Sequence, residues 1–155
     1  MPALNKMRKK KDQYKEVEAL KVTQEIRIRF NETDPLGIVW HGNYITYFED
    51  GREAFGREHG ITYLDVHASG YTTPIVKSEC EHKLPLRYGD VARIETTIVD
   101  TPAAKMIFRY KIFDANNSLA CSGETIQVFV DANGDLSLNM PDFFEEWRRK
   151  VGLPT

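Results

Sequence analysis

A chain of 155 residues, 41% hydrophobic and 11% aromatic, has the material for one compact core and too little length for a second folded domain. Its formal net charge of -2 gives no global pull toward nucleic acid or an anionic membrane, so neither is expected as a partner. Cys80 and Cys121 form no CxxC pair, no secretory leader is seen, and no apolar run approaches the ~20 residues that span a bilayer; a reduced, soluble, cytoplasmic protein is expected.

The first twenty residues, MPALNKMRKKKDQYKEVEAL, are polar and cationic and read as a flexible extension whose beginning is a solvated tail, with a single domain over 21–155. From Val22 the pattern has period two. Val22, Ile26, Ile28 and Phe30 share one face and Thr23, Glu25, Arg27 and Arg29 the other, with Gln24 a polar exception, which predicts a half-buried strand. An acidic turn, TDPLGIVWHG, leads into NYITYFEDGREAFGREHG, where Tyr44, Tyr47, Phe48, Gly51 and Phe55 recur at three- and four-residue steps. This predicts a helix capped by Asn43 and closed by Gly60.

Beyond residue 72 the chain reads as strands: TPIVKSECEHKL, DVARIETTIVD, KMIFRYKIFD and the run from Leu119 to Val130, joined by turns such as DTPAA and DANNS. Short connections imply an antiparallel meander, and Asn133-Gly134 a further turn. Pro141 to Val151 predicts a last helix, with Glu145 placed to pair with Arg149 and Glu146 with Lys150. One long helix with aromatic residues over most of its girth requires a sheet curved around it, so the expected class is α+β. The edges of such a sheet invite pairing with a second copy, so an oligomer is expected.

Asp34 is the candidate for chemistry. Asp before Pro, with Gly to follow, is also ordinary turn chemistry, and both readings stay open on local sequence. The catalytic reading rests on the helix start, whose free backbone N–H groups can hold an oxygen that becomes negative during reaction. Gly37 and Gly42, having no Cβ, would let backbone approach a ligand. His41 is either a cap or packed ring or a proton-transfer group. Glu49 and Arg52 are expected as a local ion pair, and Cys80 and Cys121 as small buried apolar groups. No metal is expected, because His41, His59, His67 and His82 have no ligand spacing and no cysteine pair adjoins them.

The line ETDPLGIVWHGNYITYFEDGREAF, with PLRYGD from Pro85 to Asp90, resembles the hotdog-fold acyl-CoA thioesterases of the 4-hydroxybenzoyl-CoA thioesterase type. The resemblance runs from about Val22 to about Val130. It implies a long helix wrapped by a curved antiparallel sheet, a homodimer or homotetramer with sites between protomers, and no cofactor. It also implies that Asp34 is the catalytic carboxylate, that the thioester carbonyl is polarised near His41 and Gly42, and that Asn43 and Tyr44 shape that end of the helix. Gly51 stands where the family often has alanine.

Hydrolysis of an acyl-CoA thioester to free acid and coenzyme A is the expected reaction, with Asp34 as nucleophile or as general base on water. Arg87, Lys105 and Lys83 are candidates for the coenzyme's phosphates. The alternatives are an acyl-carrier-protein thioesterase and a non-catalytic acyl-CoA sensor; the second would have no use for Asp34. Dehydration of hydroxyacyl thioesters is disfavoured, because the acid precedes the helix.

Overall fold

A computed structural model describes residues 15–154, and the expected solvated start lies outside them. The folded part begins earlier than residue 21. Strand β1 (Lys15–Glu16) pairs its two residues with Asp100 and Val99. A 3-10 turn at Glu18–Leu20 then drops Leu20 into the core. Val17 and Leu20 packing on the core, the Val17 N–H donating to the Ile98 carbonyl at 2.9 Å and the Glu16–Arg109 ion pair at 3.7 Å lay this segment on the sheet.

The alternation from Val22 becomes β2 (Val22–Arg27), with Val22, Ile26 and Ile28 buried as expected. Phe30 is 76% exposed, because a 3-10 turn at Phe30–Glu32 breaks the alternation one residue before it. Helix α1 (Asn43–His59) buries Tyr44, Tyr47, Phe48, Gly51 and Phe55, which is the face the spacing predicts. Gly60 closes it in the left-handed conformation. Asn43 does not cap it; Gly42 holds the cap position and Asn43 is the first helical residue.

Helix α2 (Tyr63–Ala68) was not expected from periodicity. The Asp65 N–H donates to Thr62 Oγ1 at 3.1 Å, and the Thr62 N–H donates to Asp65 Oδ2 at 2.8 Å. That Thr-x-x-Asp capping box was readable in the sequence. The remaining strands are β3 (Tyr71–Thr72), β4 (Ile75–His82), β5 (Val91–Asp100), β6 (Lys105–Phe113), β7 (Leu119–Val128) and β8 (Val130–Asp131).

The main sheet runs β1-β5-β6-β7-β4, with β2 also on β5, and its recorded pairings are antiparallel; β3 and β8 form a small ribbon. The predicted meander is β5-β6-β7. Helix α1 lies on this sheet, where Phe48 stacks on Tyr110 at 4.4 Å and Phe55 meets Phe108 edge-on at 5.2 Å. Gly51 faces Thr96 and Ile94, so closely that a Cβ would overlap the Thr96 hydroxyl. The result is an α+β hotdog fold. No described helix is long and apolar enough to cross a membrane.

Two expectations of local ion pairing fail, the first because a long-range partner outcompetes the local one. Arg52 Nη1 donates to the hydroxyl of Tyr110 at 3.2 Å, and no Glu49–Arg52 ion pair forms among the described residues. In α3 (Asp142–Lys150) neither Glu145–Arg149 nor Glu146–Lys150 pairs among the described residues. Instead Phe144 and Trp147 bury against Phe129 and Phe55, which turns Arg148 inward. Arg148 Nη2 donates to Asp100 Oδ1 at 2.6 Å and to the Pro154 carbonyl at 2.7 Å.

Candidate active site

The acidic turn is a tight hairpin. Thr33 bridges Val39, the Asp34 N–H donates to the Ile38 carbonyl at 2.9 Å, and the Gly37 N–H donates to the Asp34 carbonyl at 2.9 Å. Asp34 Oδ1 accepts the Leu36 N–H at 2.8 Å, so one carboxylate oxygen holds the turn and Oδ2 takes no part in that bond. Gly37 sits at φ 76° with open space where a Cβ would be, so backbone conformation and not close approach explains it.

Two anchors fix this hairpin. The Val39 N–H donates to the Leu86 carbonyl at 2.8 Å and Ile38 bridges Arg87, so the PLRYGD segment is the platform under the hairpin. The carbonyl of Glu32 then accepts twice, from the Trp40 N–H at 2.9 Å and from Asn43 Nδ2 at 2.7 Å. That single acceptor binds the hairpin's base to the first residue of α1.

Among the described residues, the N–H groups of His41 and Gly42 meet no acceptor. They sit immediately ahead of a 17-residue helix whose dipole favours negative charge there. Gly42 is required for a reason other than ligand approach: a Cβ would overlap the ring of Trp40, which folds back over it and tilts against His41 at 5.0 Å. His41 is exposed, with no neighbouring base or acid bonded to it among the described residues. Tyr44 is buried, packs edge-on against His82 at 4.8 Å, and has its hydroxyl pushed up to about 12, by burial foremost. It shapes the helix start from beneath.

The cations divide. Arg87 is exposed on the platform beside the hairpin, whereas Lys83 pairs with Glu81 at 3.5 Å. Lys105 is not gathered with Asp34 within one chain. It opens β6 opposite Val128, seven residues or roughly 23 Å from Ile112, whose neighbour Cys121 adjoins the helix start. At Lys105's end of the sheet an apolar cleft of about 600 Å³ opens between α1, α2 and the sheet, lined by Ile61, Val66, Pro74, Met106, Phe108 and Gln127.

One cluster escaped the sequence reading. Cys80, His82 and Cys121 lie together, their donor atoms all within 4.8 Å of one another, although 41 residues separate the cysteines. Cys121 is fully buried as expected and Cys80 only partly, and burial raises the pKa of both thiols. The Cys-x-His spacing on a strand, which puts both side chains on one face, was the available signal.

This geometry has known counterparts. Residues 28–148 match the model of the thioesterase-like superfamily. A putative acyl-CoA thioesterase of Bacillus subtilis, YneP, is 32% identical over 124 residues, 80% of this chain and 90% of that protein. An acyl-CoA thioester hydrolase of Escherichia coli, YbgC, is 27% identical over 68% of this chain and 79% of its own length. A DHNA-CoA thioesterase from Staphylococcus aureus superposes with a TM-score of 0.75 at 26% identity, covering 84% of this chain and 90% of that one. A 4-hydroxybenzoyl-CoA thioesterase variant with its substrate bound gives 0.71 at 25%, covering 82% and 97%. The chain belongs to the thioesterase-like superfamily. Within it, the fold and the relatives make it a hotdog thioesterase, the class that the sequence resembles.

Proposed function

We propose that this protein hydrolyses an acyl-CoA thioester to a free acid and coenzyme A, with Asp34 as the reacting carboxylate. The observation that carries the proposal is the double anchor at Glu32, which holds the Asp34 hairpin to a helix start whose His41 and Gly42 N–H groups are free. Those donors polarise the thioester carbonyl, an interaction typically worth ~3–4 kcal/mol of barrier. The free Asp34 oxygen then attacks the carbonyl carbon, or takes a proton from the water that does. In the first route the C–S bond breaks to give a mixed anhydride and the coenzyme thiolate, and water resolves the anhydride. In the second, water adds directly and the thiolate leaves.

The site is completed by a second copy. Strand β4 carries a free edge and exposes Ile75 and Val76 at its start. Two-fold pairing of such edges is antiparallel, which sets the Ile75 end of one copy beside the His82 end of the other. The apolar cleft and Lys105 of one copy then face the Asp34 hairpin of its partner, where the cleft takes the acyl group and Arg87 with Lys105 meets the phosphates. The assembly is a homodimer or a homotetramer.

Asp34→Asn tests the reading, because the amide still accepts the Leu36 N–H while losing the basic or nucleophilic oxygen. Turnover of the best acyl-CoA falls at least ~10²-fold with binding retained. Near wild-type turnover in that variant would place the reacting carboxylate elsewhere. Rapid quench separates the routes, since an acyl group trapped on Asp34 during a single turnover assigns the nucleophilic one. Light scattering that gave a monomer at micromolar concentration would remove the shared site.

A further inference from the structure

Two thiols and an imidazole converge at the edge of the sheet, at the strand β4 whose edge the proposed dimer pairs, and the hydrolytic steps assign none of the three a role. On β4, Cys80 and His82 are two residues apart and share a face; across the strand boundary His82 pairs with Cys121 on β7, and Cys80 with Gly123. Cys121 is thus the direct neighbour of His82 and the diagonal neighbour of Cys80. The two sulfurs lie 3.3 Å apart and all three donor atoms fall within 4.8 Å. Sequence separation hides the set, and strand register assembles it.

From this we infer that Cys80, His82 and Cys121 form a binding site for a soft divalent ion, zinc above all, with two sulfurs and one nitrogen as ligands. Thiolate and imidazole donors select zinc over the hard oxygen-seeking ions. Zinc–sulfur bonds of ~2.3 Å and a zinc–nitrogen bond of ~2.0 Å in a tetrahedron put the sulfurs ~3.8 Å apart and each ~3.6 Å from the nitrogen. The observed sulfurs must open by roughly half an ångström, and the nitrogen must close by roughly one. Both are side-chain rotations, and the imidazole is exposed and able to make its own.

Charge balances as well. As the ion binds, each thiol gives its proton to solvent, so one ion of charge +2 meets two thiolates and a neutral imidazole, and the half-buried complex is neutral. Tyr44, packed edge-on against the ring of His82, limits its orientation in the way outer partners of metal ligands do. The fourth position opens on the exposed side of His82. The ion would tie the edge strand β4 to β7 beneath the start of α1, and this holds whether or not Asp34 carries the reaction.

Cobalt is the probe, added to the reduced full-length protein under anaerobic conditions. A near-ultraviolet thiolate-to-cobalt charge-transfer band with intense visible bands of a four-coordinate ion is expected, at one ion per chain, and zinc should displace it. Cys80→Ser lies on the exposed edge strand, keeps the side chain's size, and should abolish the band. His82→Gln should shift the visible bands and weaken zinc by more than the ~10-fold that even outer-shell changes cost. Zinc should raise the melting temperature of the wild type and not of Cys80→Ser. A wild-type spectrum without thiolate charge transfer overturns the assignment. So does a band that survives Cys80→Ser, or a zinc affinity indifferent to His82→Gln.

Discussion

The two ends of helix α1 are finished in opposite ways. At its C-terminus Gly60 turns the chain back, His59 Nε2 donates to the Leu20 carbonyl at 2.6 Å, and Trp147 Nε1 donates to the His59 carbonyl at 2.7 Å. Backbone and ring are satisfied there, under the aromatic cover of Phe55, Phe144 and Trp147. At its N-terminus no side chain caps the helix, Trp40 and Leu36 stand in solvent, and the N–H groups of His41 and Gly42 are without partners among the described residues. The closed end is tied into the core, whereas the open end leaves its first N–H groups to solvent and is the end that the proposed reaction uses.

Substitutions at the two ends should therefore separate rate from stability. Asp34→Asn is the largest effect at the open end: it should cost at least ~10² in kcat per folded molecule and shift the melting temperature little, as steady-state kinetics beside calorimetry would show. Arg148→Ala is its mirror image. Removing the guanidinium strands Asp100 and should cost about 2–3 kcal/mol in denaturant unfolding, less than a fully buried pair because Asp100 keeps some solvent contact, with kcat unchanged.

Gly42→Ala would blur the contrast, because it acts at the open end through packing. The added methyl group must displace the half-exposed Trp40 ring, a shift that costs at most about 1 kcal/mol and should move the donors enough to lower kcat as well. A variant that lost stability at full rate would show that the donors tolerate the shift. Trp147→Phe is the smallest change, since it deletes one donor and leaves the His59 carbonyl short of a partner. A loss of about 1 kcal/mol without any change in KM or kcat is expected from chemical denaturation and kinetics together.

Local signals carried much of this molecule. A period-two run located β2, strand-like runs between turn signals located β4, β5, β6 and β7, and the three- and four-residue spacing located α1 with its buried face. The Asp34 hairpin was legible as a turn, with Asp34 Oδ1 accepting the Leu36 N–H; its catalytic reading belongs to the proposal. What escaped was set by partners distant in sequence. Arg148 finds Asp100, 48 residues away, a pair that no local spacing signals. Lys105 was placed near the mouth by strand membership, but register puts it at the far end of its own chain. The Cys80–His82–Cys121 cluster exists only once β4 lies on β7. The helix cap moved from Asn43 to Gly42 because the Asn43 amide is drawn to the Glu32 carbonyl.

The seating of Gly51 against Thr96 limits how this lineage can drift. Helix and sheet approach each other there without room for one methyl group, so positions 51 and 96 are a lock of two tumblers. A chain that carries alanine at position 51 must have retreated across the gap, by a smaller or turned residue at position 96 or by a helix lifted off its strand. Residue 51 cannot become alanine without a shift of the buried Thr96 or of the helix.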